Sequence, residues 1–189
     1  MPNDAGERKK LDELNQTISK IRGAASRDLE YGFDDDWYTF MNKMMVLTTQ
    51  SQSPRIQNYI FRAKGWKKVP ASLNKGDIKN ESGQYFEVKA TIITSSNLSV
   101  NVVQIRLWQQ VSGYYIFVID AMNNFKTVQF TLSKADMERA VKLEGRSAHG
   151  TFEANKDNKN KEWAIHFTWN ASDPTYKRWI KEYFHEDFP

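Results

Sequence analysis

The chain has no cysteine among its 189 residues. That absence excludes disulfide scaffolds, thiol catalysis and cysteine-ligated zinc together, and it makes the cytoplasm the expected compartment. No run of ~18 apolar residues occurs, so no membrane span and no membrane partner are expected. Only three histidines are present, none paired at metal-ligand spacing, so a zinc centre is not expected either. Among the first ten residues Asp4, Glu7, Arg8, Lys9 and Lys10 have no apolar block behind them, which argues against a signal peptide. There are no internal repeats and no Pro/Gly/Ser linker. What is present is 40% hydrophobic and 13% aromatic residues, enough for a substantial core and too much for a disordered chain. The length suits one domain.

The net charge of +4 is unevenly placed. Between residues 54 and 79 lie Arg55, Arg62, Lys64, Lys67, Lys68, Lys75 and Lys79, with Asp77 the one acid; the remaining segments are close to balanced. Such a window suits a phosphate-facing surface, or equally a solvated face.

Leu11, Leu14, Ile18 and Ile21 form a helical stripe that ends at Gly23, so residues 1–25 read as an N-terminal helical arm and 26–189 as a single domain. A helix after Asp34-Asp35-Asp36 buries Trp37, Phe40, Met41, Met44 and Met45. Another opens at Ser53-Pro54 and closes at Gly65, burying Ile56, Tyr59, Ile60 and Ala63. Strands follow at 66–69, 76–79 and 84–93. Residues 98–110 read as a helix through Val102, Val103 and Ile105. Tyr114 to Ile119 is a buried central strand, and 125–131 is a further strand. Ser133 with Asp136 resembles a capping box for a helix ending near Gly145. A strand at 163–169 and a helix after Asp173-Pro174 complete the order. The fold class expected is α/β, a mixed central sheet flanked by helices.

The informative stretch runs from Gly76 to Lys89. Asn80 to Gly83 is turn-rich between two extended runs, which makes a hairpin. A three-residue loop sets Asn80 opposite Gln84 and Asp77 opposite Glu87; a two-residue loop shifts this by one position. Side-chain alternation then puts Phe86, Val88, Ala90 and Ile92 toward the core, and Glu87, Lys89 and Thr91 on the other face. Two carboxylates so close repel unless a cation lies between them. Oxygen ligands suit Mg²⁺, which takes one or two carboxylates from a protein and can polarise a phosphoryl oxygen. Lys89 can position a water and stabilise developing charge. The plainer alternative is an i, i+2 ion pair on a solvated strand.

Asp77 followed by Glu87-Val88-Lys89 resembles the PD-(D/E)XK nuclease motif. Val103 to Gln109, Tyr114-Tyr115 and Ser147 to Thr151 resemble segments of type II restriction endonucleases, so the likeness covers roughly residues 54–170. The resemblance implies a restriction-endonuclease-like core and Mg²⁺-dependent hydrolysis of DNA phosphodiesters to 5′-phosphate and 3′-hydroxyl ends. It implies Asp77, Glu87 and the Val88 carbonyl as metal ligands, and Lys89 as the residue that orients the attacking water. Gly76 stands where the motif's name has proline. Gln57 stands where the preceding helix often supplies a glutamate; Glu30 is the alternative acid. Expected DNA contacts are Arg55, Gln57, Lys75, Gln104, Arg106 and His149, with Gln104 and Arg106 placed on the helix after the catalytic strand. Arg106 suits a phosphate or a guanine edge, or is a plain surface arginine. Asn155 to Lys161 is a basic loop suited to a duplex.

One active site cuts one strand. Double-strand cleavage therefore calls for a homodimer, or for a larger recognition subunit as in heterodimeric type IIS enzymes. Two rivals remain: a structure-specific repair or recombination nuclease on the same core, and a non-catalytic DNA-binding module.

Overall fold

The computed structural model describes residues 4–28, 30–70, 74–148 and 162–189. His149, Gly150, Thr151 and the Asn155–Lys161 loop lie outside the described residues. The chain divides into two compact units, Met1–Ile60 and Phe61–Pro189.

The first unit begins with α1 (Asp4–Arg27), a helix that passes through Gly23 instead of stopping there. The Ala-Ala that follows favours helix enough to carry it past the glycine. Leu11 and Leu14, on its apolar stripe, are exposed. Asp36 caps α2 (Trp37–Met44) through the Thr39 N–H, satisfying an otherwise orphaned donor. Trp37, Phe40, Met41 and Met44 are buried as the spacing requires, while Met45 is exposed. Phe40 stacks on Tyr59 at 4.3 Å between ring centroids, and the Tyr59 hydroxyl donates to the Asp35 carbonyl. The third helix, α3 (Thr49–Ala63), starts a turn ahead of Ser53-Pro54 and encloses Pro54.

The second unit is a mixed α/β layer structure. After α3, Gly65 adopts φ +64 and the Trp66 N–H reaches back to the Phe61 carbonyl, a glycine-terminated helix end. A six-stranded sheet then runs in the order β1 (Lys67–Lys68), β2 (Ile78–Lys79), β3 (Tyr85–Ile93), β5 (Gly113–Asp120), β6 (Lys126–Ser133), β9 (Phe184–Phe188). Its central pair, β3 and β5, is parallel; its other neighbours are antiparallel. Among the described residues the chain thus forms five helices and a mixed sheet, in agreement with an α/β class.

The connection between β3 and β5 departs from expectation. Residues 98–110 do not form a helix: β4 (Ser99–Ile105) is a strand in a second sheet, ordered β4, β8 (Trp163–Thr168), β7 (Arg146–Ser147). Val100 and Val102 alternate into the core, and the register then slips between Val102 and Ile105. That bulge spaces Val102 and Ile105 three apart, so an interrupted strand imitates a helical period. β-Branched residues prefer the strand.

The core lies between this second sheet and one face of the first. Ile93, Tyr114, Ile116, Val118, Phe130 and Leu132 meet Val100, Val102, Ile165 and Phe167 there, with α4 (Lys134–Glu144) and α5 (Pro174–Glu182) adding Met137, Val141 and Trp179. A full capping box at Ser133 and Asp136 starts α4, and Asp173 caps α5.

Candidate active site

The hairpin of β2 and β3 brings the chemistry together. Ile78 opposes Phe86 and Lys79 opposes Tyr85, while the Asn80 N–H bonds the Gln84 carbonyl. This is the three-residue-loop register, so Asp77 sits across from Glu87. The Asp77 N–H donates to the Phe86 carbonyl at 2.9 Å, and the Val88 N–H returns a bond to Asp77 Oδ2 at 2.8 Å. The carboxylate is thereby fixed against the strand that carries Glu87 and Lys89.

Gly76 makes this approach possible. Its φ is +78, and a Cβ there would lie 2.5 Å from the Phe86 carbonyl oxygen and 2.9 Å from the Val111 side chain. Proline, with φ locked near −65°, could not take this conformation. Gly76→Ala should therefore lower stability by roughly 3 kcal/mol, from backbone strain and overpacking combined. Urea unfolding followed by circular dichroism would read this; an unchanged midpoint would contradict the tight turn.

The face on which the acids lie differs from the expected one. Glu87, Lys89 and Thr91 pair in the parallel ladder with Tyr114, Ile116 and Val118, which belong to the main hydrophobic cluster. Alternation along β3 separates two faces without saying which is covered, and a parallel central strand is covered on both. Glu87 is accordingly 3% exposed. Its carboxylate accepts a hydrogen bond from Lys89 Nζ at 2.7 Å, the partner that so buried a charge requires.

Asp77 carries the electrostatic consequence. Burial, followed by the charge of Glu87, pushes its carboxyl up to about 6, against the Val88 N–H, Lys89 and Lys68, which pull it down. Burial, then the charges of Glu87 and Glu138, also raises the Tyr114 phenol. Tyr114 is the site neighbour that sequence reasoning missed: it stands beside Glu87 only through the β3–β5 pairing, and no local signal announces that contact. Its hydroxyl donates to the Arg106 carbonyl at 3.3 Å.

Asp77, Glu87, Val88 and Lys89 are thus brought together. Lys75 is half-buried, with its ammonium 5.0 Å from the centre of the Tyr85 ring. Gln104 is exposed in the β4 bulge at φ +55, and Arg106 pairs through Nε with Glu162 at 2.8 Å. Neither lies on a helix, because β4 and its turn replace the helix expected there. Arg55 and Gln57 lie on α3 in the first unit, where Arg55 is buried and donates to the Ser51 carbonyl. Glu30 is exposed in that same unit. His149 falls outside the described residues.

Among the described residues no group of three or more histidines or acids forms a metal-binding array. The donor set at the hairpin is two carboxylates that repel each other, together with a lysine. A hard divalent cation fits that set, since it would relieve the repulsion that raises Asp77 and needs no third acid if water completes its shell. None of the described helices is long and apolar enough to cross a membrane. Searched against models of known protein families and against curated proteins, the chain matches none.

Proposed function

We propose that the chain is a metal-dependent endodeoxyribonuclease of the PD-(D/E)XK type, acting as a type II restriction enzyme or as its cleavage subunit. The observation that carries this reading is the convergence of Asp77, Glu87 and Lys89 from adjacent strands, beside a strand pair whose exposed Lys67 and Lys79 face each other. Asp77 and Glu87 would hold Mg²⁺, with the Val88 carbonyl as the further ligand implied by the resemblance. When bound, the ion supplies Lewis-acid polarisation of the scissile phosphate and favours hydroxide over water.

The protein's own part follows from its contacts. The Val88 N–H holds Asp77 in one rotamer. Lys89 neutralises Glu87 in the structure; once another cation balances Glu87, its ammonium is free to orient the attacking water and to stabilise charge on the phosphoryl oxygens. The apolar cluster beside Glu87 excludes bulk water and strengthens these interactions. Lys67, Lys68 and Lys79 attract the polyanion in a salt-dependent way.

One such centre cuts one strand, so a double-strand break calls for a second subunit, a copy of this chain or a larger recognition partner. Supercoiled plasmid incubated with the purified chain and Mg²⁺ should give nicked circles or discrete linear fragments, and EDTA should abolish both. Products should carry 5′-phosphates that a ligase reseals. Uncut DNA both alone and with a co-expressed partner would overturn the proposal. Cleavage confined to branched junctions would favour the repair-type nuclease instead.

A further inference from the structure

On the side of the main sheet opposite Glu87 and Lys89, the second unit holds an open cavity of about 340 Å³, within the range of small-molecule sites. Trp66, Tyr115, Asn80, Lys64, Thr131 and His185 contribute to its lining. Two features set it apart from an ordinary surface dent.

The first is aromatic. Trp66 stacks on Tyr115 at 4.6 Å with the rings 17° from parallel, and Tyr115 stacks on Phe86 at 4.4 Å and 18°. Three flat rings form a column with the half-buried Trp66 at its end. A further planar ring laid on that end would extend the column in the geometry aromatic pairs prefer.

The second is the polar frame. The Asn80 side-chain oxygen accepts the Gln84 N–H at 2.9 Å, and its amide hydrogen-bonds the Tyr115 hydroxyl. The ring is therefore held in place before any ligand arrives. Lys64 on the rim is ion-paired with Glu186. Lys67 and Lys79, each next in sequence to a lining residue, oppose one another across β1 and β2. Neither has a carboxylate partner among the described residues, and like charges placed directly opposite are unfavourable until an anion joins them.

A flat π-surface, hydrogen-bonding groups at its edge and uncompensated ammonium groups beside it describe one ligand chemistry, a nucleotide with its base unstacked. We infer that the Trp66 cavity is a nucleotide-binding site, in which the base stacks on Trp66 and the phosphate meets the lysines of the β1–β2 edge. The site is separate from Asp77, Glu87 and Lys89 and needs no bond cleavage. The same chemistry arises from a free nucleotide or from one residue of a strand.

The test is a binding titration of the full chain in EDTA, where hydrolysis plays no part. The probes are dAMP, a single-stranded decamer with one central 2-aminopurine, and the same decamer as a perfect duplex. Saturable binding of dAMP or of the single strand is expected, with 2-aminopurine fluorescence quenched by stacking. Tighter binding of dAMP identifies a free nucleotide as the occupant; tighter binding of the decamer identifies a strand. Trp66→Ala should weaken the preferred probe roughly tenfold or more, Trp66→Phe much less, and Lys89→Ala not at all. Duplex affinity should change less than twofold in Trp66→Ala. Absence of saturable binding, or binding by wild type without quenching, overturns the inference whether or not the variants fold. Because these readouts are independent of catalysis, their failure and a failure to cleave plasmid are separable.

Discussion

Lys89→Ala is expected to lower the rate of Mg²⁺-dependent plasmid cleavage by roughly 10³-fold, within the range for loss of one positioned proton-transfer or charge-stabilising group. DNA affinity, measured in Ca²⁺ or EDTA, should stay within a few-fold of wild type, because the phosphate-facing lysines are elsewhere on the unit. The substitution has a structural cost as well. Lys89 is the partner of Glu87, which is almost wholly buried, and removing one member of such a pair leaves an uncompensated charge. Lys89→Met, which keeps the apolar stem, should lose activity equally while packing better. The comparison is best made at low temperature, with circular dichroism confirming that both variants are folded. Cleavage at the wild-type rate in either variant would remove Lys89, and with it the hairpin, from the proposed chemistry.

Asp77→Asn should abolish cleavage and yet stabilise the fold above neutral pH. The folded chain holds the Asp77 proton more tightly than the unfolded chain does, with its carboxyl at about 6 against an ordinary 3.8. A carboxyl raised in this way contributes least when ionised: its favourable share is present below about pH 4 and is lost as pH rises through about 6. Asparagine has no charge to lose, is nearly the same size, and can still accept the Val88 N–H. At pH 8 the variant should therefore be more stable by on the order of 2 kcal/mol, and the two proteins should converge near pH 4. Mg²⁺ should raise the melting temperature of wild type at pH 8 and leave the variant unmoved, because only a ligand that binds the folded state stabilises it. A variant less stable than wild type at pH 8 would refute the electrostatic account of the site.

Local signals in the sequence carried much of this arrangement. The hairpin register follows from turn chemistry between Asn80 and Gly83, and it alone sets Asp77 against Glu87. Caps at Asp36, Ser133 and Asp173 were legible because each pairs a short acceptor with the N–H groups two or three residues on. What was illegible depended on partners distant in sequence. The β4 strand was hidden by its own bulge, which spaced its apolar residues at a helical interval. The buried face of β3 was assigned to the wrong side, because Phe86 and Val88 are as apolar as the residues opposite them. Tyr114 could not be placed beside Glu87 without knowing that β5 runs parallel to β3. The terminal strand β9, with the sequence Phe184-His185-Glu186-Asp187-Phe188, has too little alternating hydrophobicity to declare itself, and it exists because β6 offers it an edge.

The parallel pairing of β3 with β5 also bears on how the protein is made. The hairpin with the whole acid–lysine trio is complete by Lys89, but its ladder partner begins only at Gly113. During synthesis the trio emerges first and waits, with one side of β3 unpaired, until the β4 excursion and β5 have left the ribosome. Pairing across such a loop is slow compared with hairpin closure. A host would thus be exposed to the competent enzyme only after the larger part of the chain exists, and fragments ending before residue 113 should be inert. Pulse-labelled nascent chains arrested on either side of β5 would display that threshold as a step in protease resistance.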